Sequence, residues 1–238
     1  MILATLCQPV CVQVQTRHGP SFAVARLLMA GGEPVKVEAG GALATSYGVM
    51  IDARPPRGVL KSLTRAALGG ESLFVATCTA PPQGGWVDVA PNLPGDLHTV
   101  ELDGSAGWCV TRGSWLASAA GVHLDVRWGG FVNLFGGEGG FLVHVAGHGP
   151  IVISCYGALD AITLGPGELV TVDTGHVVAY ADTVQSRIRP VSQGAVQSIK
   201  SGEGLVFDFA GPGRVLIQTR SPRGLIGWLH ANGLASRA

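Results

Sequence analysis

The chain has 238 residues, among them 36 Gly and 14 Pro, and its 16 Lys and Arg balance its 16 Asp and Glu. Charged residues make up 13% of the sequence and hydrophobic residues 47%, which excludes a disordered chain and gives no basic nucleic-acid-binding footprint. The length fits one large β domain or two small ones, and no apolar run reaches the roughly 20 residues of a membrane-spanning helix.

The amino terminus and the cysteines bear on the compartment. Residues Met1 to Leu6 are apolar but lack the basic start and long apolar core of a signal peptide, so we expect no export and a cytoplasmic, bacterial location. The cysteines form an odd, scattered set: Cys7, Cys11, Cys78, Cys109 and Cys155. Such a set argues against a disulfide framework and for buried, reduced thiols, and the spacing predicts no zinc site.

One pattern occurs three times along the chain. In each copy a Val precedes a Gly by three residues, an Ala follows that Gly by four, and a second Val follows it by nine. The copies lie at 37–49, 110–122 and 172–184, with their glycines at Gly40, Gly113 and Gly175. We expect these glycines to hold equivalent turns with positive φ, and the repetition predicts three equivalent structural units.

Each copy continues into a stretch of alternating apolar and polar residues, which is typical of a half-buried strand. The apolar positions are Val49, Ile51 and Ala53 in the first copy, Val122, Leu124, Val126 and Trp128 in the second, and Val184 and Ile188 in the third. Polar residues such as Asp52, His123 and Arg187 fall on the opposite face. The pattern therefore predicts one strand in each copy with one face in the core and the other in solvent.

A Gly-Glu pair leads into an apolar segment in each copy and recurs about every 65 residues. The pairs are Gly70-Glu71, Gly137-Glu138 and Gly202-Glu203. The three glutamates could form a ring of carboxylates, but we favour polar turn residues at the start of a strand. Gly- and Pro-rich segments follow, and they predict hairpins that join strands 141–145 to 151–155 and 205–209 to 215–219.

Helix is predicted at only two places. Val59–Leu68 carries an apolar stripe that ends at Gly69, and Leu225, Trp228 and Leu229 indicate a last short turn or two. The predicted fold is therefore all-β with one or two short helices. We expect three fused units with a pseudo-threefold arrangement in a single body spanning 1–238. The predicted divisions are repeats at 22–95, 96–158 and 159–222, and a helical tail at 223–238.

Four stretches carry a resemblance to a known family. They are Gly58–Phe74, Phe135–Phe141, Leu164–Tyr180 and Gly202–Ser221, the last two containing VDTGHVVAY and GPGRVLIQTRS. In these stretches the chain resembles the altered-inheritance-of-mitochondria family, also described as TRAP-like after the tryptophan RNA-binding attenuation protein. The resemblance spans about residues 20–230.

The resemblance implies a β-rich fold of TRAP-like, double-stranded β-helix-like units. It implies a link to the inner membrane and respiratory complexes for the mitochondrial members, and no settled activity for the bacterial ones. It supplies no catalytic residues, and the mitochondrial role transfers poorly because the sequence has no transit peptide.

Metal-dependent and nucleophilic chemistry find little support in the sequence. The histidines are His18, His98, His123, His144, His148, His176 and His230, and no His-x-His pair occurs. His144 and His148 are interpreted as a strand and a turn histidine, and His176 follows Asp173 closely enough to pair with it. Ser114 lacks the second glycine of a nucleophile elbow. No metal, cofactor or catalytic residue is predicted.

RNA binding requires cationic side chains that face phosphates, together with groups that stack on bases. The last third of the chain contains the arginines Arg187, Arg189, Arg214, Arg220 and Arg223. The net charge is nevertheless zero, and no basic motif recurs in all three copies. RNA binding is therefore disfavoured, DNA binding is not predicted, and an internal ion pair is an alternative role for Arg220.

The function that we favour is that of a non-enzymatic assembly or interaction module. A protein partner or self-association is expected, and peripheral contact with a membrane stays open. The alternative is a small-molecule-binding protein or enzyme with a pocket between repeats. Candidate contact residues are Arg220, Gln218, His176, His144 and His148, and candidate interface anchors are Trp86, Trp108, Trp115, Trp128 and Trp228.

Overall fold

A computed structural model describes residues 12–53, 75–128, 141–191 and 204–234 of the chain. Several predicted features lie outside these described residues. They are Cys7 and Cys11, the helix predicted over Val59–Leu68, and the Gly-Glu pairs with Glu71, Glu138 and Glu203.

The described residues form 18 strands, a 3-10 turn at Thr174–His176 and one α-helix. The strands are β1 (Gln13–Arg17), β2 (Val24–Met29), β3 (Pro34–Glu38), β4 (Ala42–Thr45), β5 (Met50–Asp52), β6 (Val75–Thr79), β7 (Gly85–Val89), β8 (Leu97–Asp103), β9 (Trp108–Thr111), β10 (Trp115–Ala119), β11 (Val122–Trp128), β12 (Phe141–Ser154), β13 (Leu159–Leu164), β14 (Leu169–Asp173), β15 (Val177–Ala181), β16 (Gln185–Pro190), β17 (Leu205–Ala210) and β18 (Gly213–Gln218). The helix, α1, spans Pro222–Ala231. The predicted all-β class is confirmed.

The same four antiparallel pairings occur three times along the chain. First, β7 pairs with β2 and β4, while β6 pairs with β3 and β5. Next, the second half of β12 pairs with β8 and β10, and its first half with β9 and β11. Last, β18 pairs with β13 and β15, while β17 pairs with β14 and β16. We call these groups unit I (β2–β7), unit II (β8–β12) and unit III (β13–β18).

Two joints connect neighbouring units through backbone pairing. Strand β3 of unit I pairs with β10 of unit II, and β9 of unit II pairs with β15 of unit III. The joints produce a sheet of eleven strands that runs through all three units, and the remaining strands form a four-stranded and a three-stranded sheet. The TRAP-like, pseudo-threefold arrangement and its predicted division at 22–95, 96–158 and 159–222 stay predictions, and the third joint that would close such an arrangement, between β14 and β4, is not formed among the described residues.

The predicted hairpins within 141–155 and 205–219 are wrong. Residues Phe141–Ser154 form one continuous strand, whose two halves belong to different pairings. Similarly, β17 lies between β14 and β16, so β18 pairs with other strands instead. The glycines therefore let the chain pass from one sheet to the next, and Gly147 and Gly149 have φ values of 120° and 108° in the middle of β12.

The turn prediction for the three repeat glycines is correct at two positions. Gly40 and Gly113 have φ values of 86° and 77°. Gly175 instead lies in the 3-10 turn, because the Asp173 side chain accepts a hydrogen bond of 2.7 Å from the Gly175 amide and caps the turn. The prediction for Gly175 is therefore wrong.

The alternating strands differ between units in how far they are buried. In β11, Val122 is buried and His123 and Asp125 are exposed, as predicted. In β5, however, Met50 and Ile51 are both exposed. The half-buried strand predicted for the first copy is therefore wrong, because β5 is the outermost strand of its sheet and nothing in the described part of the chain covers it.

The core consists of two clusters. The larger joins units I and II with neighbouring residues of unit III, and it contains the fully buried Leu27, Trp115 and Ile153. The smaller lies in unit III, where Phe207 and Phe209 stack with their ring centroids 5.2 Å apart. Cys78, Cys109 and Cys155 are buried, as predicted for small apolar side chains.

The tryptophans divide between core and surface. Trp108 and Trp115 are buried, and the Arg26 guanidinium lies 3.7 Å above the Trp86 ring. Trp228 on α1 is 57% exposed. The Trp128 side chain lies outside the described part of the structure. Of the predicted anchors that are described, Trp228 is the one with the largest free surface.

Candidate functional site

The five candidate side chains fall at separate places rather than in one site. Gln218 and His176 contact each other at the end of β18, and Arg220 follows two residues later. His144 and His148 lie on the same strand, β12, but have different neighbours.

Gln218 is a buried side chain that ties three segments together. Its Oε1 accepts a hydrogen bond of 2.9 Å from the Tyr156 amide, and its Nε2 donates one of 3.0 Å to the Gly175 carbonyl. The His176 Nδ1 lies 2.7 Å from the Gln218 carbonyl oxygen. Because these groups satisfy backbone atoms, Gln218 and His176 stabilise the 3-10 turn rather than face a ligand. The predicted pairing of His176 with Asp173 is replaced by this contact.

Arg220 is exposed just before the helix. Its Nη1 donates a hydrogen bond of 3.2 Å to the Thr219 carbonyl, and no ion pair to Arg220 is found among the described residues. The internal ion pair suggested as its alternative role is therefore not formed there. Its side chain is available to solvent at the start of α1.

His144 forms a polar pair across the joint between units II and III. Its Nε2 lies 2.7 Å from Oδ2 of Asp182, which follows β15. The Cys109 thiol lies 3.7 Å from Oδ1 of the same carboxylate. Since His144 is mostly buried and Asp182 about one third exposed, the pair lies at the surface end of the joint.

Gly107 makes this pair sterically possible. The Asp182 amide donates a hydrogen bond of 3.0 Å to the Gly107 carbonyl. A Cβ on Gly107 would lie 2.7 Å from Asp182 Oδ2, 2.7 Å from the Val145 carbonyl oxygen and 2.8 Å from His144 Nε2. No larger residue fits there without movement of β12 or of the turn after β15.

Tyr180 lies beside the same joint, and its burial raises the pKa of its phenol to about 12. The Tyr180 hydroxyl accepts a hydrogen bond of 3.4 Å from Ser186. A phenol with this pKa stays protonated at neutral pH and does not serve as a base. Compared with the buried Tyr180 hydroxyl, the His144–Asp182 pair has more access to solvent.

His148 is exposed and contacts the turn that follows β8. Its ring lies against Gly104, where a Cβ would come within 2.5 Å of the imidazole. The interpretation of His148 as a turn histidine is wrong in detail, since it belongs to the continuous strand β12. In the described ranges, no group of three or more His, Cys, Asp or Glu side chains is arranged to hold a metal ion.

Sequence reasoning missed Asp182 and Gly107. Neither belongs to the repeated pattern, and 38 residues separate His144 from Asp182. The available signal was an isolated Asp directly after the buried segment Val177–Ala181. The side chain that contacts such an Asp depends on the register between β9 and β15, and that register cannot be predicted from the local sequence.

Exposed apolar side chains mark three other places. The segment from β4 through β5 presents Leu43, Tyr47, Met50 and Ile51, β14 presents Leu169, and the carboxyl-terminal part presents Ile226, Trp228 and Leu234. Large exposed apolar groups that cluster in this way often mark contact surfaces. None of these residues was predicted as a contact except Trp228.

Helix α1 stands on the surface of unit III. The Ser221 side chain accepts a hydrogen bond of 3.4 Å from the Gly224 amide, and Pro222 occupies the first turn, as favoured at helix starts. Asn232 and Gly233 end the helix, with φ at Gly233 of 69°. None of its ten residues is buried. In the described ranges, no helix is both long and apolar enough to cross a bilayer.

Comparison with known proteins identifies a family, a curated relative and similar solved structures. The family described as Mitochondrial biogenesis AIM24 matches residues 14–220. An uncharacterized protein of Streptococcus pyogenes serotype M6 is 31% identical over 160 residues, which cover 66% of this chain and 63% of the relative, so the match spans less than two thirds of that protein. An X-ray crystal structure of a Streptococcus pyogenes protein matches with a TM-score of 0.78 and 25% identity, over 93% of this chain and 99% of the other.

Proposed function

The chain belongs to the family described as Mitochondrial biogenesis AIM24, and from this membership and the exposed helix α1 we propose that it is a non-enzymatic assembly or interaction module. The observation that carries the proposal is that α1 has no buried residue while Trp228 is 57% exposed. Trp is one of the residues enriched among those that dominate protein interfaces.

The energetics of α1 support a role in binding. Gly224 and Gly227 each cost about 1 kcal/mol of helix stability relative to Ala, and a helix of ten residues is marginal without tertiary packing. Ile226 is 46% exposed, and burial of this remaining part of its side chain on a partner contributes about 1 kcal/mol. A partner with an apolar groove would therefore stabilise α1 and gain affinity from the same contacts.

Site-specific photo-crosslinking in cells that express the full chain tests this proposal. A photoreactive phenylalanine analogue replaces Trp228 in one variant and Arg187, an exposed residue on β16, in the matched control. We expect a discrete protein adduct from position 228 that position 187 does not give, and we expect Ile226→Asp to abolish it. Equal adducts from both positions, or none from position 228, would contradict the proposal.

A small-molecule site at the joint between units II and III is the second candidate. The observation that favours it is the His144–Asp182 pair, with Cys109 beside it and access to solvent. Native mass spectrometry of the purified chain tests it against a denatured control. A retained mass that His144→Ala removes would support ligand binding, and a clean mass for both proteins would support the interaction module.

RNA binding and a membrane surface are weaker alternatives. Arg189 is paired with Asp208 at 2.6 Å, so one cation of the arginine-rich third is neutralised. Helix α1 carries a single arginine, Arg223, whereas helices that lie on membranes are usually rich in basic residues. If the photoreactive residue at position 228 crosslinked to lipid rather than protein, a membrane surface would be identified, and a crosslink to RNA would identify RNA binding.

A further inference from the structure

The two joints between units use the same register. In the β3–β10 joint, Val37 lies opposite Ala117, Lys36 opposite Ser118 and Val35 opposite Ala119. In the β9–β15 joint, the partners at the same positions of the repeat are Val110 with Ala179, Cys109 with Tyr180 and Trp108 with Ala181. In each joint, the second strand of one unit therefore pairs with the third strand of the next unit. The paired residues lie at the same positions relative to the repeated Gly.

This rule leaves two strands without the partner that their equivalents have. Strand β4 of unit I corresponds to β10 and β15, and β14 of unit III corresponds to β3 and β9. Within the described ranges, β4 pairs only with β7 and β14 only with β17, so each is the outermost strand of its sheet. We call their unpaired sides the β4 edge (Ala42–Thr45) and the β14 edge (Leu169–Asp173).

Burial shows what the missing partner covers elsewhere on the chain. Leu43 on β4 is 63% exposed, whereas its equivalents Leu116 and Val178 are 0% exposed. On β14, Leu169 is 75% exposed and Val170 is half-buried, whereas the equivalents of Val170 on the two joined strands, Val35 and Trp108, are buried. Both edges thus carry apolar residues at positions that the joints bury.

The composition of the two edges also favours pairing. The β4 edge reads Ala-Leu-Ala-Thr, and the β14 edge reads Leu-Val-Thr-Val before Asp173. Proteins protect strand edges that must stay free with Lys, Pro or a bulge that turns the edge away. Neither edge contains Lys or Pro. Strand β4 has a bulge at Leu43, but β10 and β15 have the same bulge at the equivalent position and pair with a neighbouring unit, so the bulge does not block another strand.

We propose that the β4 edge of one copy pairs antiparallel with the β14 edge of a second copy, in the register of the internal joints. This register places Ala44 opposite Val172 and Thr45 opposite Thr171. The partner is a second copy because one chain carries both complementary edges, so every copy supplies what its neighbour lacks. The two surfaces differ, which makes the contact head-to-tail, and repetition gives a closed ring or an open filament.

The proposal deepens the proposed function and rests on it, since it gives an assembly module its partner and register. Sedimentation velocity of the full chain, over a range of concentrations, tests it first. We expect oligomers for the native chain. Leu43→Lys should weaken assembly about tenfold or more, because the Lys would be buried like Leu116, while the melting temperature of the single chain stays unchanged. The matched control, Phe22→Lys, replaces a side chain that is 71% exposed and lies outside both edges and outside α1, and it should assemble like the native chain.

Disulfide trapping tests the register. Thr45→Cys and Thr171→Cys are placed in separately tagged chains, which are mixed and oxidised. We expect a disulfide between chains for this pair and none when Thr163→Cys on β13 replaces Thr171→Cys.

A native chain that sediments as a monomer at all concentrations would overturn the proposal, as would oligomers that Leu43→Lys leaves intact. A Leu43→Lys monomer that melts at a lower temperature than the native chain would also overturn it, because the edge would then be covered within one chain. An intact position-228 adduct alongside a monomer would refute only the edge pairing. Oligomers without that adduct would refute only the role of α1.

Discussion

Replacement of Gly107 by Ala is expected to destabilise the joint between units II and III. The added methyl group would lie 2.7 Å from the Val145 carbonyl oxygen, which is backbone and cannot rotate away, and equally close to the Asp182 carboxylate. Overpacking of this kind costs about 1–3 kcal/mol. For a chain of this size each kcal/mol lowers the melting temperature by about 2–4 °C, so a cost of 2 kcal/mol predicts a decrease of about 4–8 °C.

Thermal denaturation followed by circular dichroism measures the effect. Gly227→Ala is the matched control, because a Cβ at Gly227 has nothing within 4 Å and the position lies in α1. Ala there is expected to leave the melting temperature unchanged or to raise it slightly, since Ala favours a helix. An Ala at position 107 that lowers the melting temperature no more than the Gly227→Ala control would refute the steric argument.

Three further predictions concern single polar groups. Burial raises the pKa of Glu38 to about 7, above the ordinary value of 4.5, so stability falls as the pH rises from about 4.5 through 7. Glu38→Gln should therefore raise the melting temperature more at pH 8 than at pH 5, and equal changes at both pH values would contradict this. Asp88 accepts hydrogen bonds of 2.7 Å from Arg26 and from Arg17, so Asp88→Ala should cost about 1–3 kcal/mol in urea denaturation at pH 7. The guanidinium of Arg26 holds the pKa of the Asp88 carboxyl below its usual range. The free energy of unfolding that Asp88→Ala removes should therefore become smaller as the pH falls through that lowered pKa, and a difference that stays the same at all pH values would contradict the ion pair. Gln218→Leu leaves buried backbone groups unpaired and should also cost about 1–3 kcal/mol, an expectation that an unchanged urea midpoint would overturn.

The sequence predicted strands better than it predicted their partners. The alternation at Val122 and Leu124 indicated β11 correctly, because burial of one face leaves a direct trace in residue type. The glycines near 146–150 and 210–214 indicated turns, but a turn within a hairpin and a passage between sheets require the same residue types. Only the neighbours of each strand decide between the two, and those neighbours are distant in the chain.

The candidate site was predicted even less completely for a related reason. His144 and Gln218 were identified as residue types that bind ligands, yet Gln218 satisfies backbone groups of Tyr156 and Gly175. The partner of His144 is Asp182, and their contact exists because β9 and β15 pair in one particular register. Because the register between distant strands depends on the whole sheet, no local sequence pattern predicted it.

The continuous strand β12 affects the order in which the chain folds during synthesis. All four strands that pair with β12 precede it, so unit II can close as soon as Ser154 has left the ribosome. The outer side of β9 stays unpaired until β15 emerges, about 1–5 seconds later at a synthesis rate of about 5–20 residues per second. In that interval Trp108–Thr111 is an open, apolar edge on an otherwise finished unit. Premature termination after β12 would make this edge permanent, so the fragment is expected to aggregate where the full chain does not.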